Sequence, residues 1–153
     1  MKNDNFMTLT IPSRSANEAF ARMAVAAFVA QLDPTVEELC DIKTAVSEAV
    51  TNCIVHAYRD TIGRIYIQGR IDGRRIIVRI RDKGCGIPDV EKAMEPLFTT
   101  GTGAEERAGL GFAVMQAMMD RVKVTSAVGK GTTVLLQKRL SDRGDGDDRK
   151  DRP

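Results

Sequence analysis

The sequence predicts an α/β sandwich of two layers, with helices on one face of a mixed, mainly antiparallel sheet. Three observations lead there. Short alternating or Ile/Val-rich runs occur near both ends and in the middle, two stretches with apolar residues every three or four positions separate the first run from the next, and Asp72-Gly73 sits between two of the runs. An Asp-Gly pair in that position is a strong local hairpin signal.

The elements follow in order. Phe6 to Ile11 alternates and is closed by Pro12, as an edge strand is. Ser13 or Ser15 can cap a helix over 17–32, in which Phe20, Met23, Ala24, Ala27 and Phe28 form the packing face and Glu18 and Arg22 stay wet. Asp33-Pro34 ends it. Thr35 with Glu38 three residues on is a capping-box pattern, and it opens the longest helix, with Leu39, Ile42, Val46, Ala49, Val50, Cys53 and Ala57 along its buried stripe. The hairpin pairs 64–71 with 75–81. Pro88, Pro96 and Thr99 to Gly103 break up the next stretch, so 87–108 is expected to be a long loop, and loops of that length usually carry function. Helical periodicity returns over 110–119, and strands over 122–126 and 132–138 flank a turn at Gly129 to Gly131. The last stretch, 141–153, has no apolar residue that could offset the cost of ordering it, and is expected to be a disordered charged tail after one domain over 1–140.

A chain of 153 residues can bury a core without disulfides or metals. Cys40, Cys53 and Cys85 are widely spaced among apolar or glycine neighbours, which fits thiols in a reducing compartment better than a disulfide frame or a zinc site. Basic and acidic residues number 23 and 21, so the balance gives no footprint for nucleic acid and no polybasic membrane anchor. Met1 to Phe6 contains no apolar run resembling a signal peptide, so none is expected, and the apolar 23–30 stretch is too short and too Ala-rich to span a bilayer. A cytoplasmic protein is expected.

No Gly-x-x-x-x-Gly-Lys-Ser/Thr occurs, so any nucleotide is held by another device than a P-loop. Glu48 and Asn52, followed by His56, are spaced four and four along one helix face. The Asn52 carbonyl is a hard neutral ligand of the kind Mg²⁺ takes, and Glu48, one turn away, is placed to receive a proton from an attacking hydroxyl. Taken alone, this string reads more readily as a solvated helix face. Asp82 follows a strand pattern, where a carboxylate can accept from the exocyclic amino group of adenine, while Gly84 and Gly86 allow close approach of a flat base. Taken alone, that string is a common turn. Arg107 to Phe112 ends the loop and opens a helix, so Gly109 and Gly111 would offer N–H groups to phosphate, with Arg107 adding charge and Thr99 and Thr100 contributing from a lid. Thr132 brings a hydroxyl to a late strand that can return beside Asp82.

In this order, Glu48-x-x-x-Asn52, Asp82-x-Gly84-x-Gly86, Gly109-Leu-Gly-Phe112 and Gly131-Thr132 resemble the Bergerat-type ATP fold of gyrase, MutL and histidine-kinase catalytic domains. Ser47 to Tyr58 and Pro96 to Thr100 are similar to the anti-sigma-factor serine kinases, those of the sigma-F type in endospore-forming bacteria in particular. The resemblance implies a homodimer that binds and inhibits a sporulation sigma factor and uses ATP and Mg²⁺ to phosphorylate a serine on an anti-anti-sigma protein. By the same resemblance Glu48 takes the base position, Asn52 the magnesium position, and Asp82, Gly84, Gly86, Gly109, Gly111 and Thr132 nucleotide positions. Exposed Glu18 and Arg22 are candidates for partner contacts. A general-stress-type kinase and a non-catalytic module that binds a sigma factor in an ATP-dependent way are the alternatives.

Overall fold

The computed structural model describes residues 4–95 and 103–142, with the side chains of 103–110 outside that description. Strand β1 (Asn5–Pro12) leads into helix α1 (Ala16–Val29), which a 3-10 turn over Ala30–Leu32 extends. Helix α2 (Val36–Asn52) runs on into a π-turn over Cys53–Ala57. Strands β2 (Arg64–Asp72) and β3 (Arg75–Asp82) form the hairpin, with Gly73 at a φ of 62°. A short α3 (Val90–Met94) and then α4 (Gly103–Met118) precede β4 (Arg121–Ala127) and β5 (Gly131–Arg139).

The five strands form one sheet in the order β1-β2-β3-β5-β4. All four pairings are antiparallel, so the mixed element of the expected sheet is absent among the described residues. Alternation assigns the faces. Ile65, Ile67 and Ile71 of β2 and Ile76, Val78 and Ile80 of β3 are buried, and they meet Val25, Ile42, Val46 and Met115 from the helices in a single core. The expected two-layer sandwich is therefore the observed one, with its helices on one face.

The long helix starts as its sequence requires. Thr35 Oγ1 accepts from the Glu38 N–H at 3.0 Å, and a Glu38 carboxylate oxygen accepts from the Thr35 N–H at 2.9 Å. Glu38 also accepts from the Ser141 N–H at 2.7 Å, tying the end of the sheet to this cap. Thr35→Ala should cost about 1 kcal/mol of stability, and a thermal melt should show a Tm lower by about 2–4 °C.

Four local expectations are corrected. Ser15 stands at the N-terminus of α1 without a side-chain cap, and the Ser13 hydroxyl instead accepts from the Gly63 N–H. The buried stripe of α1 is Ala21, Val25, Ala26 and Val29, whereas Phe20 and Met23 are 52% and 54% exposed. Small and β-branched residues let α1 lie close to the sheet, and bulk alone pointed to the wrong stripe. Glu18 and Arg22 are not simply solvated: they pair at 3.1 Å, and Arg22 reaches the Ser47 hydroxyl of α2 at 3.3 Å. Finally, the stretch expected to be loop over 87–108 contains α3 and the first turns of α4. The tail from 143 onward lies outside the described residues.

Candidate functional site

The C-terminal end of α2, the β3–α3 connection and the β4–β5 turn come together on one side of the sandwich. The Tyr58 N–H donates to the Cys53 carbonyl at 3.1 Å, five residues back, which makes the last turn of the α2 segment wide. That extra residue turns His56 off the face shared by Glu48 and Asn52, so the four-and-four spacing holds for the first step only. Such a turn also directs carbonyls outward. The Ala57 carbonyl accepts from the Cys85 N–H at 3.2 Å, and the His56 carbonyl accepts from the Cys85 thiol at 3.3 Å.

The glycines of Asp82 to Gly86 are explained by this docking. A Cβ on Gly84 would collide with the Ala57 carbonyl, and one on Gly86, at a φ of 78°, with the Ala127 carbonyl. The Gly129 N–H closes the contact by donating to the Cys85 carbonyl at 2.8 Å. Ser126 braces the same corner: its hydroxyl accepts from the Ile87 N–H at 2.7 Å and lies 2.8 Å from the Thr132 hydroxyl.

Asp82 sits at the centre, 5% exposed. One carboxylate oxygen accepts from the Gly84 N–H at 2.9 Å and from the Thr132 N–H at 3.2 Å, and the other from the Cys53 thiol at 3.5 Å. Burial pushes its pKa up, and the bonds from Gly84, Cys53 and Thr132 oppose that push without cancelling it. Burial, and then the Asp82 charge, raises the Cys53 thiol well above its ordinary value, so Cys53 is a donor near neutral pH. A carboxylate offers about four acceptor positions. Three are filled, and one is left for a donor from outside the chain.

Glu48 and Asn52 face α4 at Gly111, where an added Cβ would lie 3.2 Å from a Glu48 carboxylate oxygen and 3.3 Å from the Asn52 amide nitrogen. The buried Asn52 Nδ2 has no hydrogen-bond partner among the described residues. An orphaned amide end in a buried position calls for a further polar partner. A half-turn of the amide about its terminal torsion brings its oxygen to that place, and the site fits a hard divalent cation with further oxygen ligands.

Some candidates are placed otherwise than expected. Gly109 and Gly111 lie inside α4, which begins at Gly103, so neither stands at a helix N-terminus. At Gly111, α4 approaches the side-chain ends of Glu48 and Asn52 closely, so that an added Cβ would press on both. The backbone of Arg107 belongs to the same helix, and Thr99 and Thr100 lie outside the described residues. Thr132 is the direct β5 partner of Asp82 in the ladder. Sequence reasoning missed Cys53 as a thiol donor, Ser126, and Tyr58, whose hydroxyl accepts from the Lys83 N–H at 2.6 Å and donates to the Arg64 carbonyl at 2.7 Å. A tyrosine just past the longest apolar stripe was the available hint of a buried polar bridge.

Residues 11–138 match the histidine kinase-like ATPase domain family. The chain is 59% identical over 138 residues to an anti-sigma F factor of Caldanaerobacter subterraneus subsp. tengcongensis, covering 90% of this chain and 96% of that one. Against an anti-sigma F factor of Geobacillus kaustophilus the identity is 53%, over 90% and 94% of the two chains. Among solved structures, the RsbU and RsbW domains of a Mycobacterium tuberculosis protein superpose with a TM-score of 0.66 at 19% identity, covering 89% of this chain and 32% of that one. The histidine kinase domain of a blue-light activated kinase from Erythrobacter litoralis gives 0.52 at 23% identity, covering 85% and 62%. At such identities the structures speak for the fold alone. The chain belongs to the histidine kinase-like ATPase domain family, and within it to the anti-sigma F factors.

Proposed function

We propose that this member of the family is a protein serine kinase as well as an anti-sigma factor. It binds and inhibits a sporulation sigma factor of the sigma-F type, and uses ATP with Mg²⁺ to phosphorylate a serine of an anti-anti-sigma protein. The observation that carries the reading is the buried, unpartnered amide end of Asn52, one helical turn from Glu48 and beside the Asp82 network. The names of the relatives support the sigma-factor partner. A homodimer in the cytoplasm belongs to the same proposal, and among the described residues no helix is long and apolar enough to cross a membrane.

The work of the side chains follows from their places. Asp82 receives the exocyclic amino group of adenine at its remaining acceptor position, over a floor kept flat by Gly84 and Gly86. Asn52 would hold Mg²⁺ through its amide oxygen, and the bound ion would supply charge for the phosphate oxygens and keep them in line. Glu48 accepts the proton of the serine hydroxyl as its oxygen bonds to the γ-phosphorus, while the bond to the β–γ bridging oxygen breaks and ADP leaves with that electron pair. Thr99, Thr100, Arg107, Gly109 and Gly111 are proposed to reach the phosphates from the segment before and within α4.

Incubation of the protein with γ-labelled ATP, Mg²⁺ and a lysate of the organism it comes from tests this directly. Label is expected on a serine of one small protein, with loss of transfer on chelation and a sigma factor co-purifying with the kinase. A co-purifying sigma factor without any labelled acceptor would leave the binding function and remove the kinase.

A further inference from the structure

The face of the sheet away from the helices has an unusual charge. Alternation places Arg64 and Arg70 of β2 there, and on β3 it places Arg75, Arg79 and Arg81. Across the β3–β5 and β5–β4 ladders, Arg139, Arg121 and Lys123 fall on the same side, and Lys83 follows the end of β3. All nine are exposed. None of them takes part in an ion pair among the described residues, where the two pairs are Arg22 with Glu18 and Lys138 with Asp41. Alternation along the paired strands places one acid among them, Asp72 at the hairpin, while Glu37, Glu38, Asp41 and Glu48 stand on α2 in the other layer. A net charge of +2 thus hides a strong separation of sign between the two layers.

We propose that this open sheet face is a docking surface for an acidic partner protein, whose Asp and Glu side chains lie against its arginines. Seven of the nine cations are arginine, the side chain whose planar fork pairs two-on-two with a carboxylate. Phosphate is the other anion such forks accept, yet single-stranded nucleic acid also needs aromatic rings to stack on. Two rings lie on this face: Tyr66 at its centre is taken, with the Arg81 guanidinium carbon 5.0 Å and the Lys83 ammonium 5.2 Å from its centroid, and Phe6, opposite Arg70 on the edge strand, is a single open ring, short of the row of platforms that successive bases need. A second copy of the chain would bring an equally basic face, and like charges opposed across an interface repel. The homodimer proposed above must then form through another surface. The docking face is independent of the nucleotide site, since Arg70, Arg79 and Lys123 take no part in the contacts around Asp82 and Asn52.

The full-length protein is titrated with three labelled probes, namely poly-L-glutamate, oligothymidylate of equal length and phosphatidylglycerol vesicles, at low and at physiological ionic strength. Poly-L-glutamate should bind most tightly, with an affinity that falls as salt is added. Combined Arg70→Glu, Arg79→Glu and Lys123→Glu should weaken it by at least about tenfold, while ATP affinity and the melting curve stay as in the wild type. Tighter binding of oligothymidylate or of vesicles would overturn the proposal in favour of those partners. No binding of poly-L-glutamate, or binding indifferent to salt or to the three substitutions, would overturn it outright. Loss of the homodimer in the triple variant would put a second copy on this face instead.

Discussion

Glu48→Gln should leave ATP affinity within about twofold of wild type and slow phosphoryl transfer by roughly two to four orders of magnitude. The substitution is chosen for its shape. Glu48 stands against Gly111 with little room, and glutamine fills the same volume, so the contact between α2 and α4 is retained. What is lost is the basicity of the oxygen that receives the serine proton. Binding energy to the nucleotide does not depend on that proton, because it is transferred only as the new P–O bond forms. Titration calorimetry with ATP, followed by single-turnover transfer to the anti-anti-sigma protein, separates the two effects. An unchanged transfer rate would remove Glu48 from the chemistry and leave a module that binds its sigma factor without catalysis. A parallel loss of ATP affinity would make Glu48 a nucleotide-positioning residue. Retention of sigma-factor binding in the slow variant would show that sequestration and transfer are separable in one small domain.

Legibility in the sequence followed the range of the physics behind each element. The Thr35 capping box, the Asp72-Gly73 hairpin and the β4–β5 turn depend on residues a few positions apart, and each was readable and found in place. The site was readable as two strings, but not as the network that joins them. Cys53 lies in the buried stripe of α2 as any apolar residue would, and only the fold, by bringing β3 alongside, makes it a donor to Asp82. The π-turn at Cys53–Ala57 has no periodic signal, since it comes from carbonyls engaging a loop some thirty residues on. Gly111 was expected at a helix N-terminus and lies inside α4 instead. Its close approach to Glu48 and Asn52 is a tertiary fact that no local pattern carries. The nine cations of the open face were in the sequence throughout, and a balanced count concealed them because strand alternation sorts charge by face and a total does not.

Asp82 tests the adenine reading, and Asp82→Asn does so more cleanly than Asp82→Ala. The Asp82 pKa is raised by burial, with the hydrogen bonds opposing. A carboxyl with a raised folded-state pKa contributes most to stability below its ordinary range, and that contribution fades as the pH climbs through the folded value. Above that folded value the ionised Asp82 is therefore a cost to stability. Asparagine removes the charge and keeps an oxygen for the Gly84 and Thr132 N–H groups. Its melting temperature at neutral pH should equal or exceed that of the wild type, with the difference shrinking as the pH falls. Its amide nitrogen, however, would meet the adenine amino group donor to donor, and ATP affinity should drop about 10- to 100-fold, the worth of a hydrogen bond to a charged acceptor. Preference for ATP over GTP should shrink with it. Asp82→Ala would lower ATP affinity as well, but it also leaves two backbone donors unpaired, at about 1–3 kcal/mol each, so stability and binding would fall together. Calorimetric titration with ATP and GTP, alongside melts across the acid range, distinguishes these outcomes. ATP bound by Asp82→Asn as tightly as by the wild type would show that adenine is read elsewhere, and that the three donors around Asp82 serve only to hold the β3–α3 connection against α2.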